Sequence, residues 1–170
     1  MKYFLFILPF FLLPSGSFAQ QKTEPTNSIL VTGLVDSAFY IAYSNLADEK
    51  TTEIGNFTVT NHLGEIKKEY RHLKGVTLLD LLNKIKITTP NPKVLSEYYL
   101  IFRGADGYAV VFSWNELFNT ETGKTIYIVT EADDKSFINN PDRILLISTK
   151  DFKTGRRHIK NLKSIEIRRI

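Results

Sequence analysis

The sequence predicts an α+β fold with a mixed, largely antiparallel sheet and short helices. Three observations carry that expectation. Short runs rich in β-branched and aromatic residues recur along the chain, as in Ile29–Val35, Ile126–Thr130 and Arg143–Ser148. The helical segments between them are brief and opened by capping residues. Strands and helices do not alternate strictly, which argues against a doubly wound parallel sheet.

In chain order, residues 1–19 read as an export signal, with Lys2 as the positive end, an apolar run from Tyr3 to Leu13, and Ser17 and Ala19 at the cleavage site. Residues 20–28 are polar with one proline and read as a disordered lead-in, leaving 29–170 as a single domain. Ile29–Val35 and Phe39–Ala42 are the first strands, and Ser44 is placed to cap a helix over Asn45–Glu49. Ile54–Thr60 alternates apolar and polar positions as a strand does. Asn61-His62-Leu63-Gly64 is a turn, and Glu65–His72 a partly exposed return strand. Thr77 with Asp80 forms a capping box before a buried helix running to Ile85, and Thr88–Lys93, with its prolines, is a loop. Tyr98–Phe102 and Tyr108–Phe112 flank Asp106-Gly107, a hairpin signal whose two central residues are expected at positive φ. Ser113 with Glu116 starts another helix that Thr122-Gly123 ends. Asp133-Asp134 is a turn, and Leu162–Ile170 the last strand.

Composition narrows the function. The chain has 22 Lys+Arg against 18 Asp+Glu and no cysteine. That charge is mild, with no basic stripe and stacking aromatics, so nucleic acid is not the expected partner. Without cysteine there is no disulfide framework, no thiolate nucleophile and no thiolate metal ligand. The histidines, His62, His72 and His158, are too far apart to chelate as a helical pair. Trp114 and Tyr108 read as core. Thr154-Gly155-Arg156-Arg157-His158-Ile159-Lys160 gathers cations behind a glycine. A guanidinium fork and a mobile ammonium suit a phosphate or another oxyanion.

Several stretches in order resemble the sulfite-oxidase-like molybdopterin-binding domain. Gly155-Arg156-Arg157-His158-Ile159-Lys160-Asn161-Leu162 is similar to its closing Gly-x-Arg-His-x-Lys motif, and Leu73-Lys74-Gly75-Val76-Thr77-Leu78-Leu79-Asp80-Leu81-Leu82 to its helix entry. Ala105-Asp106-Gly107-Tyr108 resembles its central hairpin, Ile144–Ile147 the strand before the basic motif, and Val31–Val35 the opening strand. The resemblance spans Ile29 to Ile170. It implies an α+β domain of the sulfite oxidase type. It assigns Arg157, His158 and Lys160 to a phosphorylated pterin, molybdopterin, and leaves Arg156 without a role. Active members supply a cysteine to the metal from a strand and turn that matches Val59–Gly64. Asn61, or less well His62, stands in the cysteine's place. A neutral amide is a poor ligand for a high-valent metal that favours anionic sulfur or oxo donors, so no metal is expected.

The expected protein is therefore periplasmic or secreted, with no membrane contact after signal cleavage. It is a non-catalytic module that takes a small anionic ligand, a pterin among them, or another envelope protein, at Arg157, His158, Lys160 and Asn61. A molybdenum-dependent oxidoreductase acting on sulfite or a sulfoxide, and a structural protein of the cell envelope, are the alternatives.

Overall fold

The computed structural model of the protein describes residues 24–170; the expected signal, residues 1–19, lies outside the described residues. Two sheets carry the fold. The first contains β1 (Ser28–Gly33), β2 (Phe39–Ala42), β5 (Tyr98–Gly104), β6 (Ala109–Ser113) and β10 (Leu162–Arg169), in the order β2-β1-β10-β5-β6. Its single parallel pairing joins β1 to β10, with Val31 opposite Ile165; the other neighbours are antiparallel. The second contains β3 (Thr52–Thr60), β4 (Ile66–Thr77), β7 (Ile126–Ala132), β8 (Lys135–Ser136) and β9 (Leu145–Ser148), with β9 antiparallel to β7. The first sheet is mixed and mostly antiparallel, as expected, and every pairing of the second is antiparallel among the described residues.

Period-2 alternation divides the apolar residues between two cores. Along β7, Ile126 and Ile128 enter the first core, with Val31, Phe102, Phe112 and Ile165, while Val129 enters the second. Along β9, Leu146 joins the first core and Leu145 and Ile147 the second, which also holds Phe57, Tyr70 and Phe137. Each such fully buried side chain contributes about 1.5–3 kcal/mol. In a chain without disulfides this burial is the main source of stability.

The caps fall where the residues place them. Thr77 accepts from Asp80 N to open α2 (Leu78–Leu82), and Ser113 accepts from Glu116 N to open α3 (Trp114–Phe118). Asn91, inside the expected loop, caps a 3₁₀ turn over Pro92–Glu97.

Four local expectations are corrected. α1 spans Tyr43–Ala47 behind Ala42, so Ser44 lies inside the helix rather than capping it; Tyr43 is drawn inward, and its hydroxyl donates to Val129 O. In the central hairpin only Gly107 has positive φ, at 85°. Asp106 instead closes the loop by accepting from Tyr108 N at 2.9 Å. The left-handed pair sits at Asp133 and Asp134, in the turn between β7 and β8. Tyr108 is 42% exposed rather than core, and its hydroxyl donates to Arg156 O. The helix after Ser113 stops at Phe118, and Gly123 lies in a following 3₁₀ turn, packed so closely that a Cβ would stand 1.7 Å from Leu117 O.

Thr26 and Asn27, from the expected lead-in, are tied into the domain: Arg143 Nε donates to Thr26 O at 3.0 Å, and Tyr43 N donates to Asn27 O at 2.8 Å.

Candidate functional site

The basic stretch is docked on the end of β3. Thr154–Arg157 forms one 3₁₀ turn. The Thr154 hydroxyl donates to Thr58 O at 2.7 Å and accepts from Thr60 N at 2.8 Å. Gly155 faces the same strand, and a Cβ there would lie 2.5 Å from Thr60 O. The glycine thus permits close approach of two backbones, the turn and the strand that leads into Asn61.

Asn61 is absorbed by the β3–β4 turn. Its Oδ1 accepts from Leu63 N and Glu65 N, both at 3.0 Å, and its Nδ2 donates to Glu65 Oε2 at 2.8 Å. An Asx side chain folded onto its own turn is the arrangement that Asn favours after a strand. His62 beside it is exposed.

Arg157, His158 and Lys160 engage three different partners. Arg157 lies over the Phe112 ring, 4.9 Å from its centroid. It grips Asp151 with two nitrogens and also donates to Glu116. The Asp151 hydrogen bonds, set against partial burial and helped by Glu116, raise the Arg157 pKa further above its usual value. Asp151 is itself held by the Ser148 hydroxyl at 2.8 Å.

His158 packs inward from the other side of the turn. Its Nε2 is 3.2 Å from the Tyr70 hydroxyl. Burial, then the positive charge of Lys160, pushes its pKa down to about 4, so the ring is neutral at pH 7. Lys160 reaches Asp142 at 3.2 Å, and Lys68 shares that carboxylate at 2.9 Å while lying 4.4 Å from the Tyr70 ring centroid. Burial opposes ionisation of Asp142, but the two ammonium groups outweigh it and its pKa is lowered.

What this leaves over is a different set of cations. Lys150, Lys153, Arg156 and Arg157, with Asp151, Phe152 and Thr122, line a depression of about 320 Å³. Lys150, Lys153 and Arg156 are exposed, and none makes a salt bridge among the described residues. Lys153 Nζ leans over the β3–β4 turn; a Cβ on Gly64 would lie 2.6 Å from it. Arg156 was read as one cation of the basic stretch, the resemblance gave it no role, and sequence reasoning did not single out Lys150 or Lys153. Sequence shows only that Lys150 and Lys153 bracket Asp151; the structure shows that the carboxylate turns to Arg157 while both lysines stay exposed.

The residues do not fit a molybdenum ion held in the manner the resemblance implies. The chain has no cysteine, and the Asn61 amide is committed to its turn. Among the described residues, no group of three His, Cys, Asp or Glu side chains is placed to hold a metal. No helix among them is long and apolar enough to cross a membrane.

Neither a protein-family model nor any curated protein matches the sequence. Among solved structures, the chain is similar to the sulfane dehydrogenase SoxCD from Paracoccus pantotrophus, with a TM-score of 0.57 and 14% sequence identity. The match covers 90% of this chain and 40% of the SoxCD chain. At that identity the likeness is one of fold. The α+β class with mostly antiparallel strands agrees with the expectation from sequence, and the fold is shared with that sulfane dehydrogenase.

Proposed function

We propose that this domain is an anion-binding module that keeps a molybdenum-enzyme fold without its metal chemistry. The observation that carries this reading is the trio Lys150, Lys153 and Arg156, exposed around the depression without a carboxylate partner among the described residues. Three cations facing one concavity suit a phosphate or pyrophosphate, with Arg156 as a planar donor and the lysines as point charges. Arg157 forms part of the wall, but its charge is already opposed by Asp151 and Glu116. It, His158 and Lys160 support the ligand by fixing the turn that presents Arg156. Asn61 contributes by holding the adjacent turn, over which Lys153 extends.

The phosphorylated pterin implied by the resemblance belongs to this ligand class, and the fold likeness favours it as one candidate. Oxidoreduction of sulfite or a sulfoxide would need a metal for which the chain offers no thiolate. The setting we propose is the periplasm or the exterior, addressed by residues 1–19, where a small anionic ligand or an acidic face of an envelope protein would occupy the site.

The test is calorimetry and thermal unfolding with pyrophosphate, on the parent and on K153A/R156A. Pyrophosphate should stabilise the parent by mass action, and the double variant should lose at least about tenfold in affinity. Equal stabilisation of both proteins would place the anion elsewhere; stabilisation of neither would leave a structural envelope protein as the better reading. Stoichiometric molybdenum in protein made by a host that synthesises the cofactor would overturn the metal-free reading.

A further inference from the structure

A second cavity, of about 450 Å³, adjoins the depression and shares Lys150 with it. It runs along β3, bordered by Glu53, Asn56 and Thr58, and is closed on the other side by Tyr127 of β7 and Thr149. Its volume lies within the range of small-molecule sites, roughly 300–1,000 Å³. Much of its border is polar but not cationic.

Which of these polar groups are already used decides what could bind. The Thr149 hydroxyl donates to Thr125 O at 3.0 Å, and the Thr154 hydroxyl is spent on β3. Asn56 accepts from His72 N with its Oδ1, which leaves its amide donors. The Thr58 hydroxyl, the Tyr127 hydroxyl and the Glu53 carboxylate have no hydrogen-bond partner among the described residues. The Asn56 amide donors, the Thr58 hydroxyl and the Glu53 carboxylate on β3, with the Tyr127 hydroxyl of β7 across the cavity, match a set of ligand hydroxyls, each able to donate and accept. The Tyr127 ring adds an apolar face for ring C–H groups. Glu53 disfavours an anion in this cavity, whereas Lys150, Lys153 and Arg156 favour one next door. The ligand must therefore be polarised, with its charge at one end and neutral hydroxyls at the other.

We propose that the two cavities form one bipartite site for a sugar phosphate, with the phosphate at Lys150, Lys153 and Arg156 and the sugar along Asn56, Thr58 and Tyr127. This rests on the anion-binding reading and extends it from an ion to an ester. The site holds the ester without a covalent step.

The experiment is calorimetry with inorganic phosphate and with glucose 6-phosphate, on the parent and on T58V/Y127F, which removes two hydroxyls and little volume. Thermal unfolding confirms that the variant is folded, and Tyr127→Phe alone serves if it is not. Glucose 6-phosphate should bind the parent about tenfold more tightly than phosphate, the gain from one or two added hydrogen bonds. In the variant that margin should vanish while phosphate affinity stays unchanged. A margin absent in the parent, or one that survives the hydroxyl deletions, overturns the bipartite site and leaves the anion-binding reading standing. Failure of phosphate, pyrophosphate and the ester alike to bind overturns both.

Discussion

Arg157 and Asp151 meet side-on, with Arg157 Nε 2.6 Å from one carboxylate oxygen and Nη2 on the other. The fork is pinned between the Phe112 ring and the Glu116 carboxylate, and the side chains of Arg157 and Asp151 are only 22% and 11% exposed. Removing one member strands the other's charge in a half-buried place. Arg157→Ala should cost about 2–3 kcal/mol in urea unfolding at pH 7. Arg157→Lys should recover only part, since an ammonium cannot make the paired contact. A double-mutant cycle with Asp151→Asn should give a coupling energy of at least about 1 kcal/mol; additivity of the two changes would mean the pair contributes nothing as a pair.

Asn61 should behave as a turn residue. Replacing it with Ala removes the acceptor for Leu63 N and Glu65 N and the donor to Glu65. Because the turn is solvated, the expected loss is about 1 kcal/mol rather than the full cost of buried unpaired groups. Pyrophosphate affinity, measured calorimetrically, should change less than about twofold, as no ligand contact is lost. A large affinity loss with unchanged stability would return Asn61 to the binding surface.

Much of the fold was legible because its signals are local. The caps at Thr77 and Ser113 depend on residues three apart, and the strands on period-2 alternation. The turn at Asn61–Gly64 was equally readable. The β1–β10 pairing was not, since it joins residues more than a hundred positions apart that no local pattern links. The site was legible only in part, for a different reason. The sequence shows that Arg156, Arg157 and Lys160 are cationic but not which carboxylates meet them. Asp151 and Asp142 decide that, and both look like ordinary loop residues. Arg157 and Lys160 are matched, so the exposed charge falls to Arg156 with Lys150 and Lys153.

Gly155 is predicted to be intolerant of any side chain. A Cβ would sit 2.5 Å from the Thr60 carbonyl oxygen, a backbone atom held between two hydrogen-bonded segments. Gly155→Ala should destabilise by about 2 kcal/mol, and weaken pyrophosphate binding because the turn carrying Arg156 must shift. Parallel unfolding and calorimetry check both halves. If stability and affinity both stay at parent values, the turn is not braced against β3.

His158 should make stability depend on pH in a defined window. Its folded pKa is lowered to about 4 by burial first and by Lys160 next, against an ordinary value near 6.5. Above about pH 6.5 the ring is neutral in both states and adds no pH dependence. As pH falls below that, the unfolded chain takes up a proton that the folded chain refuses, so stability is lost progressively down to about pH 4. The full loss is on the order of 3 kcal/mol, spread over that interval. Carboxylate titration adds its own slope in the lower part of the range, so the comparison should be with His158→Gln, whose side chain does not titrate. Urea unfolding from pH 7.5 to 4.5 should show a shallower decline for the variant between pH 6.5 and 5. Parallel curves across that interval would mean that His158 takes up its proton equally in both states, and that its packing against Tyr70 does not exclude the charged ring.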